Sequence, residues 1–170
     1  MNKREVNFSD LQKAVQRHIG WMLGATRDLV EAESPSGDKA AVDACVHIAA
    51  KLAEACGARV KRYRQRAFGD VLELRWGTTR SARKPLLLLG HLDTVWPLGT
   101  LAKMPWRETG AKGRSRIHGP GVLDMKAGVA MALTAMRALG EVCGSTSRLR
   151  AVTLLLNSEE EIVSPVSRAI

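Results

Sequence analysis

The sequence has few aromatic residues, few cysteines and no long hydrophobic run. Phe, Trp and Tyr make up 4% of the 170 residues, which leaves little surface on which nucleic-acid bases could stack. The run Leu86 to Leu89 is far shorter than the ~20 apolar residues of a membrane-spanning helix, and no apolar secretion-signal core follows the basic start. We therefore expect a cytoplasmic protein that binds neither membranes nor nucleic acid.

The three cysteines, Cys45, Cys56 and Cys143, form no CxxC pair. Cys45 and Cys56 fall on one predicted helix, about 16 Å apart at 1.5 Å of rise per residue, which is beyond the reach of a disulfide. We interpret all three as core thiols in a reducing compartment.

Positive charge is in excess, but it is concentrated in one region. The chain has 26 basic and 17 acidic residues, a net charge of +9. Residues 59–116 contain 14 basic and 4 acidic residues, so the remainder of the chain is close to neutral. Such a region either attracts an anionic ligand or is a solvated hairpin. A basic nucleic-acid binder is the most distant of the functional alternatives.

The pattern of apolar residues predicts a single α/β domain. Two helices come first, then two exposed or edge strands, then strands of the buried type that alternate with a helix. The predicted helices cover residues 10–32 (capped by Ser9), 39–56 (stopped by Gly57) and 125–139 (closed by Gly140). The predicted strands cover residues 59–66, 70–76, 84–89 and 149–156. The connection 97–121 is long enough to be functional or to contain short strands, and residues 165–170 resemble the opening turn of a helix.

His91 and Asp93 come directly after a strand that we expect to be covered on both faces. Ligands bind at the carboxyl ends of strands in open α/β sheets, and a spacing of two puts both side chains on one side of an extended chain. The carboxylate can hold a metal-binding imidazole in one tautomer. A plain hydrogen-bonded pair is the alternative.

Two further acidic sites follow in the sequence, and each also has a plain interpretation. Asp124 stands directly before a predicted helix, where Asp is a common N-cap. The run Glu159, Glu160 and Glu161 follows the second buried strand, where it could be a solvated acidic turn. Together, however, three segments bring an imidazole and carboxylates to one edge of the sheet. This donor set suits zinc, with manganese or cobalt possible.

Three motifs resemble the zinc-dependent aminoacylase and carboxypeptidase superfamily. They are LLLLGHLDTVWPLGT, HGPGVLDMKAGVAMAL and VTLLLNSEEEIVSPVSRAI, which begin at residues 86, 118 and 152. The superfamily includes glutamate carboxypeptidase, acetylornithine deacetylase and succinyl-diaminopimelate desuccinylase. The sequences DTVWP and GTLAKMPWRETG are most similar to the glutamate carboxypeptidase branch.

The resemblance implies a three-layer αβα fold with a mixed, largely parallel sheet, and two zinc ions in the complete enzyme. By resemblance, His91 is a ligand of one ion, Asp124 bridges both, and Glu161 is a ligand of the other. Asp93 then orients His91, and Glu160 is the general base in the hydrolysis of a peptide or an N-acyl amino acid.

The sequence departs from the family pattern in two respects. Val163 stands where the family usually has glycine, so the turn after the glutamates is expected to be strained or reshaped. The family's other two ligands, a carboxylate and a histidine, and its dimerisation domain come from sequence beyond residue 170. We therefore expect residues 1–170 to be the N-terminal part of a catalytic domain, inactive by itself and homodimeric only with the further domain. A non-catalytic remnant or binding module of the same fold is the alternative.

Overall fold

The computed structural model describes residues 6–79, 81, 83–111, 114–146 and 149–164. Its helices are α1 (Phe8–Arg17), α2 (Ile19–Glu31), α3 (Lys39–Ala55), α4 (Thr100–Lys103) and α5 (Ala127–Cys143). Its strands are β1 (Arg59–Tyr63), β2 (Val71–Trp76), β3 (Leu86–His91), β4 (Arg107–Thr109), β5 (Arg116–His118) and β6 (Val152–Asn157). A π-helical turn, Val122–Lys126, precedes α5, and a 3-10 turn, Glu160–Ile162, follows β6.

The single helix predicted over residues 10–32 is two helices that meet at His18. The backbone leaves helical geometry there, at φ −94° and ψ 1°. The His18 ring lies 2.8 Å from Glu141 of α5, and Arg17 contacts the same carboxylate. These contacts with a distant helix hold the bend, which the apolar periodicity does not report. The predicted cap was also wrong, because Asn7 caps α1 by accepting the Ser9 N–H at 2.9 Å.

The helix predicted over residues 39–56 is confirmed as α3. The Asp38 carboxylate accepts the Ala41 N–H at 3.0 Å, which caps the first turn. After α3, Gly57 has φ +74°, a left-handed conformation that glycine adopts without steric cost.

The main sheet is mixed and has the strand order β1-β2-β6-β3. The pairings β1–β2 and β2–β6 are antiparallel, and β3–β6 is parallel. The α/β class and the mixed sheet are confirmed, although antiparallel pairings outnumber the parallel one in the described residues. β2 was expected to be exposed or at an edge, and this was wrong: it lies between β1 and β6, and most of its side chains are buried.

One face of the sheet carries the core. Helices α3 and α5 pack on this face, and the strand residues in the core cluster all point to it. They are Val60, Leu72, Leu74, Trp76, Leu88, Val152, Leu154 and Leu156. The other face shows Leu87 and Leu89, which are 59% and 68% exposed. The expected cover on both faces of β3 is therefore not found, and the described helices form one layer against the sheet instead of two.

The long connection 97–121 contains secondary structure of its own, as expected. It holds the short helix α4 and the hairpin of β4 and β5. The helix expected to close at Gly140 continues to Cys143, and Gly144 ends it at φ +72°. Gly140 lies inside α5 beside Thr146, where an added Cβ would come within 3.0 Å of the threonine methyl group. The turn expected over residues 165–170 lies outside the described residues.

The prediction that the cysteines lie in the core is confirmed for two of the three residues. Cys45 and Cys56 are buried free thiols, whereas Cys143 is only half-buried. Burial raises the pKa of Cys56 to about 11 and also raises that of Cys45, so both are protonated, unreactive thiols near neutral pH. None of the described helices is long and apolar enough to cross a membrane.

Candidate metal centre

Two parallel strands end together at the edge of the sheet that carries the candidate ligands. In the β3–β6 pairing, His91 lies opposite Asn157. His91 is the last residue of β3, and the turn with Glu160 and Glu161 begins shortly after β6. Because parallel strands run in the same direction, both connections leave at the same edge. The loop before α5 brings Asp124 to this edge as well.

His91, Asp124 and Glu161 form the one group of potential metal ligands found in the described part of the chain. Their ligand atoms all lie within 4.8 Å of one another. His91 Nε2 is 3.0 Å from Asp124 Oδ1. The His91 side chain is buried, whereas that of Asp124 is 73% exposed. One imidazole nitrogen and two carboxylates that converge on one point fit a divalent ion such as zinc.

Asp124 does not cap α5. The residue at the N-cap position of α5 is Lys126, which makes no side-chain capping bond. The Asp124 carboxylate instead lies 3.0 Å from His91 Nε2. Gly121 allows the loop to approach the segment after β3 closely. It has φ +69°, and an added Cβ would lie 2.6 Å from the Thr94 methyl group. The loop therefore directs the carboxylate to His91 and not to the helix N–H groups.

Asp93 is the most connected carboxylate at this edge, and it is 1% exposed. It accepts hydrogen bonds from the Ser36 hydroxyl at 2.7 Å and from the N–H groups of Glu160 and Glu161 at 3.2 Å each. His91 Nδ1 is 3.4 Å from Asp93 Oδ1 and 3.0 Å from the Asp93 carbonyl oxygen. Burial alone would raise the pKa of Asp93, but the bonds from His91, Ser36 and the two backbone N–H groups lower it.

The electrostatics of the cluster favour a cation. Burial opposes a charged imidazole, yet the carboxylates of Asp93 and Asp124 raise the pKa of His91 to about 9. The pKa of Glu161 is raised, first by burial and then by the negative charges of Asp124, Asp93 and Glu160. A divalent ion would relieve this repulsion between carboxylates.

The three consecutive glutamates have different surroundings. Glu159 is fully buried, and its carboxylate accepts the Ser158 N–H at 3.1 Å. Glu160 is exposed and Glu161 is half-buried, so the solvated-turn interpretation suits Glu160 alone. Val163 then has φ +75°, a left-handed conformation that is strained for a β-branched side chain. This agrees with the expectation for a position that the related family fills with glycine.

The sequence analysis did not identify the buried polar residues that link the segments of this edge by hydrogen bonds. Ser34 donates to the Leu92 carbonyl oxygen at 2.7 Å, and Ser36 donates to Asp93. Lys126, which is 1% exposed, donates to the Ala32 carbonyl oxygen at 2.8 Å. In the sequence, residues 33–38 indicate only a break between helices. The signal available for these contacts was a segment without apolar periodicity that contains two serines.

The sequence of this edge matches a known peptidase family. Residues 87–169 match the sequence model of peptidase family M20/M25/M40. The chain is 40% identical to carboxypeptidase G2 of Pseudomonas sp. (strain RS-16) over 78 residues. That match spans 46% of this chain and 17% of the relative.

Solved structures share the fold over nearly the whole chain. The dipeptidase Dug1p of Saccharomyces cerevisiae is similar at a TM-score of 0.75 and 13% identity, over 92% of this chain and 36% of that protein. Human carnosine dipeptidase 1 is similar at a TM-score of 0.67 and 20% identity, over 91% of this chain and 36% of that protein. The M20 metallo-carboxypeptidase Sso-CP2 of Sulfolobus solfataricus is similar at a TM-score of 0.54 and 20% identity, over 96% of this chain and 32% of that protein. The chain thus spans about a third of each of these proteins.

Proposed function

We propose that the chain is part of a metal-dependent hydrolase of peptide or N-acyl amide bonds. The premise is that residues 87–169 match the sequence model of peptidase family M20/M25/M40. The observation that carries the proposal is the convergence of His91, Asp124 and Glu161, whose ligand atoms lie within 4.8 Å of one another. The three residues come from separate segments of the chain. Such a set of mixed nitrogen and oxygen donors is typical of catalytic zinc sites.

In this proposal His91 and Asp124 hold one ion, and Asp124 and Glu161 hold a second. Zinc suits these donors best, and cobalt or manganese is acceptable to them. When bound, such ions polarise an amide carbonyl and make a water molecule more acidic. The exposed position of Asp124 is compatible with contact to two ions, because one face of its carboxylate is not enclosed by the protein.

Asp93 and Glu160 have the supporting roles. Asp93 holds His91 in one orientation from the Nδ1 side, which leaves Nε2 to face Asp124. Glu160 is exposed, while its backbone N–H is bonded to Asp93. Its carboxylate is therefore available to take a proton from the attacking water and to pass it to the leaving amine.

The preferred substrate in this proposal is an amide with a terminal glutamate. The motifs DTVWP and GTLAKMPWRETG, and the 40% identity to carboxypeptidase G2 over 78 residues, support this branch of the family. A small peptide or N-acyl amino acid is the expected class of partner. A homodimer is expected only in a form of the protein that includes a dimerisation domain.

We further propose that residues 1–170 are the N-terminal part of a catalytic domain and are inactive by themselves. The described residues supply two protein ligands to each proposed ion, whereas a catalytic zinc normally has three. Activity would then require a further carboxylate and a further histidine.

The test compares the 170-residue chain with a longer polypeptide in which the chain is continued by the corresponding part of carboxypeptidase G2. Bound zinc and hydrolysis of a glutamate-terminated amide are measured for both. We expect two zinc ions and hydrolysis in the longer form only. A longer form that binds both ions without hydrolysis would favour the non-catalytic binding module. An active, two-zinc chain of 170 residues would contradict the proposed need for further ligands.

A further inference from the structure

We propose that Ser36 is a positioning residue of the metal centre. Its hydroxyl holds the Asp93 carboxylate in the orientation that joins His91 to the turn carrying Glu160 and Glu161. This inference deepens the proposed function and rests on it for the presence of a metal.

The first step of the argument is that one carboxylate serves both ligand-bearing segments. Asp93 Oδ1 accepts the Glu160 N–H and faces His91 Nδ1, while Oδ2 accepts the Glu161 N–H. A rotation of the carboxylate about its Cβ–Cγ bond would break the two backbone bonds and the 3.4 Å contact with Nδ1 together. The 3.0 Å contact between Nδ1 and the Asp93 carbonyl oxygen would remain. The relative position of His91 and Glu161 therefore depends on the orientation of Asp93.

The second step is that Ser36 makes the shortest contact with this carboxylate. Its Oγ lies 2.7 Å from Asp93 Oδ2, whereas the two backbone N–H groups lie at 3.2 Å. Both side chains are buried. In the described residues Ser36 is the one hydroxyl that donates to Asp93. A hydrogen bond between a hydroxyl and a carboxylate is shorter and about twice as strong as a bond between neutral groups.

The third step is that Ser36 is itself held firmly. Residues 34–36 run beside residues 92–94, with a bridge between Pro35 and Thr94. The Thr94 N–H donates to the Ser34 carbonyl oxygen at 2.8 Å, and the Ser36 N–H donates to the Thr94 carbonyl oxygen at 3.3 Å. The Ser36 hydroxyl is thus fixed relative to the backbone that follows His91, and it transmits that position to Asp93.

Ser34 provides a matched control. It is the same residue type, is fully buried, and donates its hydroxyl at the same distance of 2.7 Å. Its acceptor is the Leu92 carbonyl oxygen and not the Asp93 carboxylate. Ser34→Ala removes one buried hydrogen bond, and Ser36→Ala removes the bond to Asp93 together with a longer one, at 3.4 Å, to the Thr94 carbonyl oxygen. Both variants therefore lower stability, by about 0.5–1.5 kcal/mol. Only Ser36→Ala removes a hydrogen bond to the Asp93 carboxylate.

The experiment measures two properties of the longer polypeptide described under the proposed function, which is the parent chain here, and of its Ser34→Ala and Ser36→Ala variants. The first is the affinity for zinc and for cobalt, by competition with a chelator and by the cobalt absorption spectrum. The second is amide hydrogen exchange at Glu160 and Glu161 without metal. We expect Ser36→Ala to weaken metal binding about 10–100-fold, as for other groups that orient a ligand. We also expect about tenfold faster exchange at the two amides, equivalent to one lost hydrogen bond.

Ser34→Ala is expected to leave both properties within about threefold of the parent chain, since its bond does not reach Asp93. Equal effects of the two variants, or no effect of Ser36→Ala on amide exchange, would overturn the proposal. The two measurements separate this inference from the proposed function. A parent chain that binds neither zinc nor cobalt would refute the metal centre and, with it, the role of Ser36 in that centre, whatever the exchange measurements show.

Discussion

At the scale of single residues, Glu160 and Glu161 are neighbours whose surroundings differ. Glu160 is exposed, whereas Glu161 is half-buried within reach of His91 and Asp124. In the longer polypeptide described under the proposed function we expect Glu160→Gln to retain bound zinc and to lower hydrolysis by about 10²–10⁴-fold, because an amide cannot replace the carboxylate that we propose as the general base. Glu161→Gln should lose zinc. Bound metal in the two purified variants checks the assignment, and equal metal loss in both would contradict it.

Asp93 and His91 have different roles in the proposed metal centre, where Asp93 orients His91 and His91 is a direct ligand. Asp93→Asn replaces one acceptor oxygen by an NH₂ group and is expected to weaken metal binding about 10–100-fold. His91→Ala removes a ligand atom and should weaken binding more. Titration with a competing chelator gives the order of the two effects. If Asp93→Asn were the more damaging change, Asp93 would be a ligand itself.

At the scale of secondary-structure elements, an ion-pair network ties α3 to the hairpin of β1 and β2. The buried Asp70 carboxylate lies 3.1 Å from Lys39 Nζ and 2.7 Å from Arg62 Nε. The Asp70 N–H donates to Asp43 at 2.8 Å. Part of the positive charge of this region is therefore paired within the protein and is not available to an anionic partner.

The Asp70 network should make stability depend on pH. Burial alone would raise the pKa of Asp70, but the bonds from Gln65 and Lys39 and the charge of Arg62 lower it. The contribution of the Asp70 carboxylate to the free energy of unfolding is therefore fully present above the ordinary carboxyl pKa. It is lost as the pH falls through the lowered pKa of Asp70. At pH 7 we expect Asp70→Asn to reduce the free energy of unfolding by about 1.5–3 kcal/mol.

Urea unfolding at pH 7 and in acid measures this effect. The difference between the parent chain and Asp70→Asn should shrink in acid. The control is Asp28→Asn at an exposed position of α2, which should change stability by less than about 0.5 kcal/mol. A difference that stays constant or grows as the pH falls would contradict the proposed role of the Asp70 charge.

At the scale of the whole molecule, the sheet has one face with helices and one without them in the described residues. Leu87 and Leu89 of β3 project from the second face and are 59% and 68% exposed. Exposed apolar residues on an edge strand favour association between copies. The double variant Leu87→Thr, Leu89→Thr should increase the monomeric fraction and leave metal affinity unchanged.

Size-exclusion chromatography with light scattering measures this fraction. Leu88→Thr is the matched control, because Leu88 packs against the core from the same strand. It should lower stability and not increase the monomeric fraction. Unchanged self-association in the double variant would show that the exposed leucines are not the contact surface.

The sequence alone was sufficient for features that depend on neighbouring residues. The break at residues 33–38 and the stop at Gly57 place α3 correctly, because the groups that end a helix lie within one turn of it. The positions of β3 and β6 follow from local apolar runs, and the position of β2 follows from local alternation of apolar and charged residues. Positions after strand ends and in a turn indicated His91, Asp124 and the run of glutamates at 159–161 as candidate ligands, and the family resemblance singled out Glu161 from that run.

Only the tertiary structure decided the features that depend on residues far apart in the chain. The break at His18 depends on Glu141, the interior position of β2 depends on pairing with β6, and the exposed face of β3 depends on where α5 packs. The bond from Ser36 to Asp93 spans 57 residues. Periodicity and capping report interactions within a few residues, so contacts of this range leave no local pattern in the sequence.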